Sequence, residues 1–114
     1  MAGEVSYLEI GTKKAESTRH FFEQLFGWSF YPMGNKGEGW FQTPSVKAGL
    51  HGNDPKPQFF IFFSVPNLEL AIARVKELGG ETDEPGPDEP GFGRFCACRD
   101  PQGICFGLHQ PREN

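Results

Sequence analysis

The chain has 114 residues, a formal net charge of -4, and 14% aromatic residues dominated by twelve phenylalanines. That length suits one domain with its own core. The acidic balance argues against nucleic acid as a partner, and no apolar run reaches membrane-spanning length. The three cysteines, Cys96, Cys98 and Cys105, are odd in number and crowded, unlike a disulfide framework. The N-terminus lacks a charged-then-apolar signal pattern, so a cytoplasmic protein is expected.

Val5 to Ile10 reads as a first strand, with Leu8 and Ile10 on one face and Tyr7 and Glu9 on the other. Thr12 to Glu16 leads into a helix whose apolar face is Phe21, Phe22, Leu25 and Phe26, ended by Gly27. Short strands follow at Trp28–Tyr31, Gly39–Thr43 and Val46–His51, with a turn at Gly34–Gly39. The proline-rich segment Asn53 to Pro57 reads as a linker.

Phe59 to Val65 is dense in β-formers and short enough for one buried strand. Pro66 breaks it and Asn67 is placed to cap a helix. Leu68, Ala71, Ile72, Val75 and Leu78 recur at steps of three and four, which makes one apolar stripe, and Gly79-Gly80 closes it. Glu81–Asp83 is a weak strand, and 84–91 is an acidic Pro/Gly loop, either a solvated connection or a lid. Arg94–Arg99 and Ile104–His109 are strands around an Asp100-Pro101-Gln102-Gly103 turn, with a tail from Pro111.

A shift of 53 positions lays the second strand–helix unit on the first, matching Glu16 with Glu69, Leu25 with Leu78 and Gly27 with Gly80. Each half therefore reads β-α-β-β-β. The expected fold is α+β: two such modules, about 4–53 and 57–110, form a curved mixed sheet with helices outside and a concave polar-aromatic cleft.

Tyr7-Leu8-Glu9-Ile10, the run Phe21 to Trp28 ending Leu-Phe-Gly-Trp, and Asp100-Pro101-Gln102-Gly103 before a last strand resemble the vicinal oxygen chelate superfamily. That superfamily includes glyoxalase I, bleomycin-resistance proteins and extradiol dioxygenases. The resemblance implies the paired-module fold, a homodimer and, in the enzymes, a divalent metal held by His, Glu or Gln. By spacing, those ligand slots fall on Tyr7, Gly49, Phe60 and Gly107, which lack the usual donors. The expectation is therefore a metal-independent binder without cofactor, like the bleomycin-resistance members. Its small-molecule ligand would lie in the inter-module cleft against Tyr7, Phe60 and Phe62, over Gly107, with Glu9 and His51 as polar contacts. The glycines would leave room there.

The alternative is a metal-dependent glyoxalase-type lyase or dioxygenase with a displaced metal on Glu9, His51 and His109, where Glu9 is the candidate catalytic base. A third reading is a protein-interaction module. Cys96 and Cys98 read as buried structural thiols.

Overall fold

The computed structural model describes residues 2–34 and 37–112. Asn35 and Lys36 of the expected turn, and Glu113 and Asn114 of the tail, lie outside the described residues. The elements are β1 (Val5–Gly11), α1 (Ala15–Phe26), β2 (Ser29–Pro32), β3 (Gly39–Gln42), β4 (Lys47–His51), β5 (Gln58–Ser64), α2 (Leu68–Glu77), β6 (Glu81–Thr82), β7 (Gly93–Arg99) and β8 (Cys105–Pro111). The β-α-β-β-β order thus occurs twice. Among the described residues no helix is long and apolar enough to cross a membrane.

Two compact units make up the chain: Tyr7–Phe60, and Met1–Ser6 together with Ile61–Asn114. The boundaries fall within strands rather than in the proline-rich segment. Glu4 explains one of them, because its carbonyl accepts the Ser64 N–H at 2.8 Å and so ties the chain start to the C-terminal unit.

In the N-terminal unit β1 pairs with β4 in parallel, and β2-β3-β4 form an antiparallel meander. Alternation sends Leu8, Ile10, Ala48, Leu50, Phe41 and Phe30 to the face that packs on α1. Phe41 is fully buried, a contribution of about 2–3 kcal/mol by area. Phe22 turns inward against Phe41, Trp28 and Phe59. Phe21, Leu25 and Phe26, expected on the packed face, are instead more than half exposed. Only part of a helix circumference can face one sheet, and Ala15 and Phe22 hold that part. Gly27 ends α1 at φ 73°, its N–H donating to the Glu23 carbonyl.

In the C-terminal unit β8 pairs in parallel with β5 and antiparallel with β7, whose other edge takes β6. Leu68, Cys96, Cys98 and Leu108 form the core, with Ala71, Ile72 and Val75 of α2 packed on it. Leu78 is exposed beyond the helix end. The Asn67 side chain accepts the Leu70 N–H at 2.9 Å, the expected N-cap. Burial pushes the Cys98 thiol up to about 12, which marks a packing residue rather than a reactive one. The acidic loop is tied down: the Gly86 N–H donates to the Phe95 carbonyl, Arg94 donates to the Gly86 carbonyl, and Arg112 pairs with Asp88. Those ties favour the solvated connection over the lid.

Candidate functional site

The face of the N-terminal sheet turned away from α1 collects the polar and aromatic residues. Register places Tyr31, Trp40, Gly49 and Glu9 in one row, and Ser29, Gln42, Lys47 and Tyr7 in the next. Tyr31 and Trp40 stack at 4.5 Å and 20°, and the Lys47 ammonium lies 4.9 Å from the Trp40 ring centroid. In the sequence these three read only as strand residues; the strand register is what assembles them.

Beside them Glu9, His51 and Asp54 are joined. Glu9 Oε2 lies 2.5 Å from His51 Nδ1, and Asp54 Oδ2 lies 2.9 Å from His51 Nε2. Carboxylates accept, so both ring nitrogens donate and His51 is an imidazolium. Burial works against that charge, but the hydrogen bonds and charges of Glu9 and Asp54 outweigh it and hold the pKa above its ordinary value. Asp54 is held below the usual carboxylate range by the Lys56 backbone N–H and then by His51. Tyr7 is buried and donates a long hydrogen bond, 3.4 Å, to Glu9 Oε1. The predicted Tyr7, Glu9 and His51 are thus brought together. Asp54, read as part of a spacer, completes the group.

Glycines make the arrangement possible. A Cβ at Gly49 would collide with Glu9 Oε1 and Tyr7 OH, and one at Gly11 with Asp54 Oδ2 and His51 Nε2. The expected vacancy at Gly49 is therefore filled by the chain's own side chains.

The C-terminal unit carries the same Gly-Leu-His, at 107–109 as at 49–51, with apolar contents. The Phe62 ring lies over Gly107, where a Cβ would collide with it, and packs edge-on to Phe95 at 5.1 Å. Phe62, expected as a ligand contact, is buried in this packing, and the room expected at Gly107 is likewise taken. Phe60 is half-buried. His109 is buried, its ring stacked on Phe95 at 4.5 Å and 2°. Its Nε2 lies 2.6 Å from the Phe92 carbonyl and its Nδ1 2.7 Å from Ser6 Oγ. The carbonyl can only accept, so Nε2 carries the proton and Nδ1 accepts from the Ser6 hydroxyl. Burial lowers the His109 pKa despite the hydrogen bond to Phe92. His109, named in the displaced metal set, is a buried neutral histidine.

These residues do not fit a metal held in the superfamily's manner. Gly49, Phe60 and Gly107 offer no donor, and the space over the glycines is filled by Glu9, Tyr7 and Phe62. In the displaced set, both nitrogens of His51 donate to carboxylates and those of His109 are engaged with Ser6 and Phe92, so neither ring has a lone pair left for an ion. Among the described residues no group of three or more His, Cys, Asp or Glu is placed to hold a metal ion.

Comparison with known proteins agrees with the doubled architecture. The anthracycline biosynthesis protein DauV of Streptomyces sp. (strain C5) is 27% identical over 97% of this chain and 42% of its own length. The chain thus spans less than half of the curated relatives it matches. Among solved structures, hypothetical protein BH1468 from Bacillus halodurans C-125 aligns at a TM-score of 0.76 and 15% identity, over 98% of this chain and 96% of that one. Methylmalonyl-CoA epimerase from Mycobacterium tuberculosis aligns at 0.73 and 14%, over 96% and 89%. These likenesses show the fold. The model of the Glyoxalase/Bleomycin resistance protein/Dioxygenase superfamily matches residues 4–108, and the chain belongs to that superfamily.

Proposed function

We propose that the chain is a metal-independent small-molecule-binding protein of the bleomycin-resistance type, its ligand meeting the N-terminal sheet on the face turned away from α1. One observation carries the reading: the position expected to supply a metal donor is Gly49, and Glu9 and Tyr7 lie over it. Glu9 is then drawn into a hydrogen bond with His51. That pairing favours binding over proton transfer. An imidazolium with both N–H groups committed to carboxylates has no lone pair for a substrate proton, and a carboxylate bonded to it is a weakened base. The side chains of His51 and Glu9 are 40% and 28% exposed, so a ligand has access to them. Tyr31 and Trp40 on the same face add apolar contact of the kind small-molecule sites use.

The rival is a metal-dependent glyoxalase-type lyase or dioxygenase. Elemental mass spectrometry on untagged protein, paired with an anthracycline titration before and after chelation, decides between them. The probe follows the name of the DauV relative. Substoichiometric metal with saturable binding indifferent to chelator supports the proposal. Near-stoichiometric zinc, nickel, manganese or iron, with binding or turnover lost on chelation, overturns it.

A further inference from the structure

We propose that Ser6 is a nucleophile that takes up the acyl group of an activated ester, with His109 as its base. Both residues belong to the C-terminal unit, so this site is independent of the ligand proposed above.

Three groups stand in line. The Ser6 hydroxyl lies 2.7 Å from His109 Nδ1, and His109 Nε2 lies 2.6 Å from the Phe92 carbonyl. The carbonyl fixes the proton on Nε2 and leaves the Nδ1 lone pair directed at the serine. A nucleophile within hydrogen-bond reach of a base, with that base oriented by a third group, is the arrangement that activates a hydroxyl. The base is held firmly. Phe95 stacks on the His109 ring at 4.5 Å and 2°. The Phe92 carbonyl belongs to a turn whose Phe92 and Gly93 N–H groups both donate to the Glu89 carbonyl. His109 is buried and neutral, the form in which a base accepts a proton. Ser6 is only half-buried, and residues 2–5 before it are exposed, so the serine is the member of the pair that meets solvent.

The step balances with water as the only co-reactant. Ser6 Oγ bonds to the ester carbonyl carbon as its proton passes to His109 Nδ1. The bond from that carbon to the leaving oxygen breaks, and the alcohol departs with the proton. Water then attacks the acyl-serine in the same way, which releases the acid and restores the hydroxyl. Phe92 offers a neutral carbonyl where a carboxylate would stabilise the imidazolium better. The substrate class is therefore esters with a good leaving group, such as a phenolate.

An alkyl fluorophosphonate and p-nitrophenyl acetate, each followed by peptide mass spectrometry on the full chain, test the assignment. Ser17, Ser29 and Ser45 are internal controls, because all three are exposed and the histidine-bonded hydroxyl is that of Ser6. Ser6 should carry at least about ten times the phosphonyl and acetyl label of any of them. Ser6→Ala should abolish that label. His109→Gln, whose amide can still donate to Phe92 and accept from Ser6, should cut labelling of Ser6 about ten-fold. A pair that merely ties β1 to β8 predicts labelling in order of exposure, with Ser17, Ser29 and Ser45 ahead of Ser6. That order, a Ser6 that is phosphonylated but never acetylated, or undiminished labelling of Ser6 in His109→Gln overturns the proposal. Should His109→Gln fail to fold, the unsubstituted protein in urea gives the comparison: its preference for Ser6 should vanish, and a preference that survives unfolding overturns the proposal equally.

Discussion

Gly49→Ala tests how the site is assembled. Gly49 pairs with Glu9 across the parallel β1–β4 ladder, and the new methyl would occupy the place of Glu9 Oε1 and Tyr7 OH. Glu9 Oε1 ends a flexible, partly exposed side chain that can move, whereas the Tyr7 OH ends a buried ring that has to tilt slightly. Since the nearest atom belongs to mobile Glu9, the overpacking cost sits toward the low end of its range, about 1 kcal/mol. Displacing Glu9 also weakens its bond to His51. At side-chain exposures of 40% and 28%, solvent screening leaves that bond worth about 0.5–1 kcal/mol. Replacing glycine in a strand returns about 0.5–1 kcal/mol through the unfolded chain. The net loss is about 1 kcal/mol. Gly107→Ala drives its methyl into the buried Phe62 ring, where overpacking costs about 3 kcal/mol and the net loss is about 2 kcal/mol. Urea denaturation compares the two variants, and NMR titration of the His51 ring reports the bond. Gly107→Ala should be the more destabilising, yet only Gly49→Ala should bring the His51 pKa down. An unmoved His51 titration in Gly49→Ala, or equal losses in both variants, refutes the filled-glycine reasoning.

The two histidines predict a domed stability profile. The His109 pKa is lowered in the folded protein, so its contribution is complete above about pH 6.5 and is lost as pH falls below that. The His51 pKa is raised, so its contribution is complete below about pH 6.5 and is lost as pH rises through the folded value. Urea midpoints measured from pH 5 to 9 should lose the alkaline limb in His51→Gln and keep the acid one; the reverse would contradict the assignment. Asn67→Ala removes the α2 cap and should cost about 1 kcal/mol by the same assay; no measurable loss would show the cap idle. Cys105 is exposed whereas Cys96 and Cys98 are buried. A thiol reagent should therefore modify one cysteine in the native protein and three after unfolding, and three fast-reacting native thiols would contradict the packing.

Element order and type were readable because each element carries its own local signal. The alternation of β1, the three-and-four spacing of α2, the Asn67 cap and the Gly27 stop all act within one turn or strand. The site was readable only in part. Tyr7 followed from the superfamily's ligand spacing, and Glu9 and His51 from strand alternation two residues further on. Asp54 was hidden because a polar residue beside two prolines looks like loop. Tyr31, Trp40 and Lys47 are distant in sequence, and only the pairing of β2, β3 and β4 gathers them. The repeated Gly-Leu-His was available as a signal. Its copies lie 58 positions apart (49 to 107), whereas the strand–helix units lie 53 apart. Loops of unequal length shift the register between them, so a single offset misses the match. The glycines themselves misled: a missing side chain suggests space, but in a packed sheet a neighbour takes the space.

In the proposed function the N-terminal sheet binds a small molecule without metal. The most direct measurement is an NMR titration of chelator-treated protein with an anthracycline, followed at Glu9, His51 and Trp40. Saturable shifts at these residues are expected, unchanged when zinc, manganese or iron is added back. Shifts that appear only with metal, or that map to the C-terminal unit around Phe62 and His109, would contradict it.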